Sequence, residues 1–204
     1  MSRLVYLAEI IASSLERWRA RCWELQRVPS YASLVVAENE GGQMLFLGLV
    51  TAIETGPIDQ GRVLATYQKT TGELERDHPE LFALLATEIS CLSVGFVDRG
   101  WRQLVAQLPP VPPPLHAFVR EATDDELERF VGQHEYLHLI SHRLPAPLLD
   151  ELLLGFLGHC GRRGLLTGSL LHSFVGTFAE LCDQEYGRLR RFVRFAEQLV
   201  TSHS

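Results

Sequence analysis

The sequence lacks the short motifs that mark the most common nucleotide-binding and acyl-transfer sites. It contains no GxxxxGK(S/T) loop for ATP phosphates, no GxGxxG dinucleotide turn and no GxSxG nucleophile elbow. No uncharged run approaches the roughly 18 apolar residues of a membrane-spanning helix. The sequence therefore disfavours an ordinary ATPase, a dinucleotide-dependent enzyme and a serine hydrolase, and we expect no membrane-spanning segment.

Positive charge is also limited. The chain of 204 residues has 19 basic and 25 acidic side chains, so its formal net charge is −6, and Lys69 is its one lysine. Proteins that coat nucleic acids need a surplus of lysine and arginine to displace counterions from the phosphates. Nucleic acid is therefore not the expected partner of the chain as a whole.

Cysteine is sparse, and no two cysteines have the CxxC spacing that is typical of redox and zinc sites. Such isolated thiols are typical of reduced, mostly buried side chains in a cytoplasmic protein. The apolar N-terminus lacks a small-residue cleavage site, so we expect no signal peptide and a cytoplasmic location. The four cysteines are Cys22, Cys91, Cys160 and Cys182.

The sequence does contain enough apolar residues for a sizeable core. Hydrophobic residues make up 46% of the chain and charged residues 22%. The hydrophobic pattern changes near residue 120, because short β-like runs with turn signals precede this point and helical periodicities follow it. The pattern predicts an α+β fold with a β-domain over residues 1–120 and a helical domain over residues 121–204.

The clearest strand signal is the run Arg17–Cys22. Arginines alternate there with Trp18, Ala20 and Cys22, so a strand would place the two sets on opposite faces. Gly48, in the middle of a long apolar run, predicts a bulge or the close approach that bends a barrel strand. Further strands are predicted over Val5–Ala12, Ser30–Glu38, Met44–Ile53 and Leu92–Val97.

Two segments interrupt or end the predicted strands. Asp77 followed by Pro79 resembles a helix N-terminus, and an apolar stripe of helical spacing continues from Leu81 to Ile89. The proline-rich segment Leu108–Pro114 must be extended, because each proline fixes φ and removes a hydrogen-bond donor. It resembles an SH3-type ligand, but we interpret it as a stiff strap that closes the β-domain.

The C-terminal part begins with a helix-start signal. Thr123 and Glu126 have the spacing of a capping box, in which hydroxyl and carboxylate bind each other's backbone amides. Apolar periodicities after this point predict a small helical bundle. Its helices are predicted over Leu148–Leu157, Leu165–Phe178 and Glu180–Val200.

One motif in the helical part is typical of a catalytic metal site. The segment His134-Glu135-Tyr136-Leu137-His138 satisfies the pattern H-E-x-x-H. On a helix, the two histidines share a face and can hold zinc, while the glutamate acts as general base on the metal-bound water. The motif makes a zinc-dependent hydrolase the alternative function, with His134 and His138 as metal ligands and Glu135 as the catalytic residue.

A structural interpretation of the same motif competes with the zinc site. A zinc protease needs a third ligand, and His142 is a poor one because it follows His138 on the same helix. If Gly132 ends the preceding helix, Tyr136, Leu137 and Ile140 face the core and the histidines lie on the polar side. We favour this interpretation, and we expect no cofactor.

Basic side chains offer a third hypothesis. Arg17, Arg19 and Arg21 would point together from one face of their strand, so they are candidate contacts to nucleic-acid phosphates. The alternative is a solvated face whose arginines pair with the many carboxylates of this acidic chain. We favour the second interpretation and expect any nucleic-acid binding to be weak and sensitive to salt.

Several short apolar segments carry a family resemblance over residues 3–119. They are Ala8-Glu9-Ile10-Ile11, Ser33-Leu34-Val35-Val36-Ala37-Glu38, Leu47-Gly48-Leu49-Val50, Glu54-Thr55-Gly56-Pro57 and the segment Pro112–Val119. In these segments the chain resembles the HAS-barrel family, named for the HerA-type DNA translocases and the rotary ATP synthases; the last one resembles the exit segment of cyanobacterial-type members. The resemblance implies a small β-barrel that promotes subunit assembly or partner docking.

The chain departs from that family where a HerA-type protein continues into its motor. A predicted helical bundle of about 85 residues takes the place of the motor, so the ATPase activity does not carry over. We therefore expect a non-enzymatic assembly or adaptor module, with a HerA-like DNA-processing ATPase as a possible partner. Apolar stripes at Leu148–Leu157 and Leu181–Val200 predict a homo-oligomer, most simply a dimer formed through the helical part.

Overall fold

The chain has the predicted α+β fold, in which a β-barrel precedes a group of packed helices. A computed structural model describes residues 4–38, 41–59, 61, 65–100 and 103–201, except for the side chains of residues 200 and 201. The strands are β1 (Ala8–Ser13), β2 (Arg17–Cys22), β3 (Leu34–Glu38), β4 (Met44–Pro57), β5 (Leu85–Asp98), β6 (Gln103–Val105) and β7 (Phe118–Glu121). The helices are α1 (Thr71–Asp77), α2 (Asp124–Val131), α3 (Glu135–Ser141), α4 (Ala146–Arg162), α5 (Gly168–Cys182) and α6 (Tyr186–Thr201).

Six antiparallel strands close the barrel in the order β1, β2, β5, β4, β3 and β7, with β7 paired back to β1. The short strand β6 continues the sheet on the edge of β5. The proline-rich segment leads from β6 to β7, and its end is tied to β1 by backbone hydrogen bonds between Ile10 and the pair His116 and Ala117. This segment therefore delivers β7 to the gap between β1 and β3, where β7 completes the barrel.

The barrel interior is filled by alternate residues of its strands. Trp18, Ala20 and Cys22 of β2 are buried there, whereas the arginines of the same strand point outward, as the sequence predicts. The Trp18 ring lies against Gly48, where a Cβ atom would come within 2.5 Å of the ring. The pairing of β4 with β5 shifts register at this glycine, so the predicted bulge and close approach are both present.

One wall of the barrel is buried on both of its sides. Along β3, Val35 and Ala37 face the barrel interior, while Leu34 and Val36 belong to a second core together with helical residues such as Phe156. A strand that is covered on both faces has a continuous apolar sequence, which explains the uninterrupted run in β3. The helices thus pack on the outside of the barrel and share a core with it.

The helix predicted after Asp77 is confirmed at its start, at Pro79, and is wrong in its type and its extent. Helix α1 lies earlier, where Thr70 and Glu73 form a complete capping box, and a 3-10 helix follows at Pro79–Leu84. Leu85 and Ile89, which the prediction placed on a helical stripe, lie in β5. A spacing of four residues keeps two side chains on one face in a strand as well as in a helix, so it could not separate these structures.

The predicted capping box at Thr123 is confirmed, because the Thr123 hydroxyl and the Glu126 carboxylate each bind the other's backbone amide. The last predicted helix begins too early. Helix α5 continues to Cys182, the chain turns at Asp183 with a φ of +45°, and α6 begins at Tyr186. Among the residues that the structure describes, no helix combines the length and apolar character required to cross a membrane.

We expect Gly48→Ala to destabilise the protein by about 1–3 kcal/mol, because the new methyl group overlaps the Trp18 ring inside a packed barrel. The matched control is Gly56→Ala on the same strand, where an added Cβ meets no atom within 4 Å. Urea unfolding measures both free energies. Equal stability of the two variants would contradict the assigned contact.

Candidate functional site

The H-E-x-x-H motif lies at the start of α3. His134 precedes the helix, and its Nε2 atom is 2.5 Å from the Ser173 hydroxyl of α5. Burial lowers the pKa of His134, against the opposing effect of the neighbouring Glu135 carboxylate. Tyr136, Leu137 and Ile140 are fully buried, so the structural interpretation of the motif is confirmed on these three residues.

The remaining members of the motif point to solvent. Glu135 and His138 are exposed, and so is His142 at the end of α3. Within the described ranges, no three histidine, cysteine, aspartate or glutamate side chains come together as a possible metal site. A third ligand for His134 and His138 is therefore not supplied by this part of the chain.

Two of the three arginines of β2 form ion pairs with a carboxylate from the neighbouring strand. Arg21 is 2.9 Å and Arg19 is 3.4 Å from Glu88 of β5. The shallow cavity next to them, about 360 Å³, is also bordered by Glu54. The surface around Arg19 and Arg21 is thus of mixed charge, and its potential is weaker than the arginines alone would give. Arg17 is exposed and forms no ion pair among the described residues.

A buried ion network between the barrel and α2 was not predicted from the sequence. The guanidinium of Arg120 on β7 binds Glu38 of β3 at 2.8 Å and both carboxylate oxygens of Glu126 at 2.7 and 2.8 Å. Arg99 approaches the second oxygen of Glu38 at 2.6 Å, and the Tyr6 hydroxyl donates to the first. Two arginines and two carboxylates therefore balance each other's charge in a largely buried position.

These contacts set the protonation of the network. Burial alone would raise the pKa of Glu126, but hydrogen bonds from Arg120 and Thr123 outweigh this effect and lower the pKa from 4.5. Burial would likewise lower the pKa of Arg120, and its bonds to Glu126 and Glu38 raise it instead. Arg120 and Glu126 are thus both ionised at neutral pH, and Glu126 serves both the network and the capping box of α2.

A second missed feature is a group of aromatic rings on the outer wall of the barrel at β1 and β7. We call Tyr6, Trp23 and Phe118 the aromatic patch. The Phe118 ring contacts Tyr6 at a centroid distance of 5.4 Å and Trp23 at 5.5 Å. Trp23 is 53% exposed and Phe118 43% exposed.

Strand pairing assembles this patch from distant parts of the chain. The Trp23 amide donates to the Leu7 carbonyl, and Phe118 pairs with Glu9. Leu4 and Val5, which precede Tyr6 in the chain, are exposed as well. Large exposed apolar groups of this kind are typical of interaction surfaces.

No family model matches the chain, and no curated protein is significantly similar to it. The arrangement of the described side chains is therefore the basis for a functional assignment.

Replacing Arg120 by methionine should destabilise the protein by about 3–5 kcal/mol at neutral pH, because Glu38 and Glu126 lose their buried cation. The stabilising effect of a lowered carboxyl pKa is present above pH 4.5 and is lost as the pH falls through the pKa of folded Glu126. The difference in the free energy of unfolding between wild type and Arg120→Met should therefore decrease below pH 4.5. Chemical denaturation across pH 3–7 measures it.

The control for this experiment is Arg129→Met on the exposed side of α2, which should change stability by no more than about 0.5 kcal/mol. If Arg120→Met lowers the free energy of unfolding as little as the control does, the network does not stabilise the fold.

We expect protein purified without added metal to contain far less than one zinc per chain, because His134 is bound to Ser173 and the described residues supply no third ligand. Elemental analysis measures the metal content. About one zinc per chain, lost on His138→Ala, would favour the hydrolase; hydrolytic activity abolished by Glu135→Gln would then identify the base.

Proposed function

We propose that the protein is a non-enzymatic adaptor module whose barrel binds a partner protein through the aromatic patch. The observation that carries this proposal is the exposure of Trp23 and Phe118 in contact with each other on an otherwise closed barrel. Aromatic side chains are enriched in the centres of protein interfaces, where a few of them supply most of the binding energy.

The patch is ordered before a partner arrives. Each ring of the patch contacts Phe118, and Tyr6 is also hydrogen-bonded to Glu38 of the buried network. A surface whose side chains already hold one conformation loses less entropy on binding than a flexible one. This pre-ordering supports a docking role for the patch rather than an incidental exposure of apolar residues.

The resemblance to HAS barrels supports one class of partner. In that family the barrel serves subunit assembly or docking beside an ATPase motor, and this chain has a six-stranded β-barrel and lacks the ATP-binding motifs. A HerA-like DNA-processing ATPase is therefore the partner that we propose. The chain would then act on the motor by binding it and would hydrolyse no nucleotide itself.

The test is affinity capture from native cells with wild type and with the double variant Trp23→Ala/Phe118→Ala, followed by binding measurements with the purified partner. We expect an ATPase among the captured proteins and a loss of affinity of at least about thirtyfold in the double variant. The matched control is Ile58→Ala, which removes an equally exposed apolar side chain elsewhere on the protein.

Folding of each variant is checked by thermal unfolding, and little change is expected because both substituted rings are close to half exposed. Capture of the same proteins in equal amount by wild type and double variant would overturn the proposal. A captured partner without an ATP-binding site would overturn the assignment of its class.

A further inference from the structure

A groove of about 970 Å³ lies between the N-terminal halves of α4 and α6. Its floor is apolar and includes Leu154 and Phe192, and Gly187 leaves one side of it without a side chain. Arg188 of α6 binds both carboxylate oxygens of Asp150 on α4, with a shortest distance of 2.6 Å. This ion pair holds the two helices together, so the groove is a fixed part of the fold.

The α6 side of the groove's rim combines an exposed ring with positive charge, whereas Glu185, just before α6, is engaged by Arg188. Phe195 is 47% exposed, and Arg191 lies one turn earlier on the same face of α6. Arg194 covers the Phe195 ring at 5.3 Å. Within the described residues Arg191 forms no ion pair, so the rim suits an apolar side chain accompanied by a carboxylate.

The same chain presents such a surface on the next face of α4. Leu148 is 53% exposed and Glu151, one turn later, is also exposed; Tyr31, which is 37% exposed, lies near Glu151. Burial raises the pKa of Tyr31, and the nearby Glu151 carboxylate adds to the effect. We call Leu148, Glu151 and Tyr31 the α4 patch; Glu151 forms no ion pair within the part of the chain that the structure describes.

We propose that two copies of the chain form a two-fold dimer in which the α4 patch of each copy occupies the α4–α6 groove of the other. Leu148 then lies against Phe195 of the second copy, and Glu151 faces its Arg191. The patch and the groove share α4, so one axis near this helix brings both pairs together, as a two-fold interface requires. This complementarity of charge and apolar surface selects a second copy as the occupant.

The structure also narrows the surface that remains for self-association. Leu181 lies on α5 rather than α6, and Phe192 stacks on Phe178 at 3.9 Å inside the bundle. Phe192 and Ala196 of the predicted stripe are thus used internally, and Phe195 remains exposed at the rim of the groove. The interface lies on the helices and the aromatic patch on the barrel wall, so the dimer and the adaptor function are independent.

The test is a charge exchange followed by light scattering and sedimentation at micromolar concentration. Wild type should be a dimer, and Glu151→Arg and Arg191→Glu should each weaken the dimer at least tenfold. The double variant Glu151→Arg/Arg191→Glu should restore it, because the two charges face each other again in reversed order. The matched controls, Glu180→Arg and Arg190→Glu, change exposed charges outside the contact and should leave the dimer intact.

A variant that fills the groove tests the contribution of the groove independently of the charges of Glu151 and Arg191. Gly187→Leu should abolish the dimer, because an added Cβ meets no atom within 4 Å and the larger side chain fills the groove without disturbing the fold. Unchanged thermal unfolding of the monomer at high dilution confirms that the variant is folded.

The proposal would be overturned by a monomeric wild type, by a dimer that tolerates both single charge reversals, or by single variants that dissociate without rescue by the double exchange. Trp23→Ala/Phe118→Ala should leave the mass unchanged, so a dimer lost only in that variant would also overturn it by placing the interface on the barrel. The capture experiment tests the ATPase partner separately, so a failure of the dimer and a failure of the adaptor function can be distinguished.

Discussion

The guanidinium of Arg120 occupies the point at which the barrel closes and the first C-terminal helix begins. It lies on β7, binds Glu38 of β3 across the strand pair and binds Glu126 of α2 in a two-oxygen contact. Burial of a lone charge would be strongly unfavourable, and the two carboxylates with Arg99 remove that penalty. Because Glu126 also caps α2, the direction in which the chain leaves the barrel is set by the same contact.

The second constraint is the barrel wall that the helices cover. Residues of β3, β4 and β5 that point away from the barrel interior join the helical side chains in one apolar core. The helices therefore complete the burial of the sheet, and the sheet in turn supplies the surface on which the short helices α2 and α3 pack. The helices leave the opposite wall, at β1 and β7, uncovered. The aromatic patch lies on this wall and is therefore exposed.

Features that depend on neighbouring residues could be predicted from the sequence. The alternation in Arg17–Cys22 and the capping box at Thr123 are local patterns, and both are present in the structure. The segment at Leu85 and Ile89 was placed in the wrong element because its spacing satisfies a strand and a helix equally.

The ion network and the aromatic patch could not be predicted in the same way. Arg120 and Glu38 are separated by 82 positions, and only the pairing of β3 with β7 brings them together. Trp23 and Phe118 are likewise joined through their neighbours on β1. Once the order of the strands is known, Arg120 and Glu38 can be recognised as charged residues in a buried position, and Trp23 and Phe118 as aromatic residues in an exposed one.

The core that the barrel shares with the helices implies that the two form one cooperative unit, which holds the aromatic patch and the α4–α6 groove in place. The most direct measurement uses Trp23→Phe/Trp101→Phe, in which Trp18 is the one remaining tryptophan and reports from the barrel interior. Trp18 fluorescence and helical circular dichroism are followed together during urea unfolding. The shared core predicts a single transition with the same midpoint for both signals; loss of the helical signal at a clearly lower urea concentration than the Trp18 signal would contradict it.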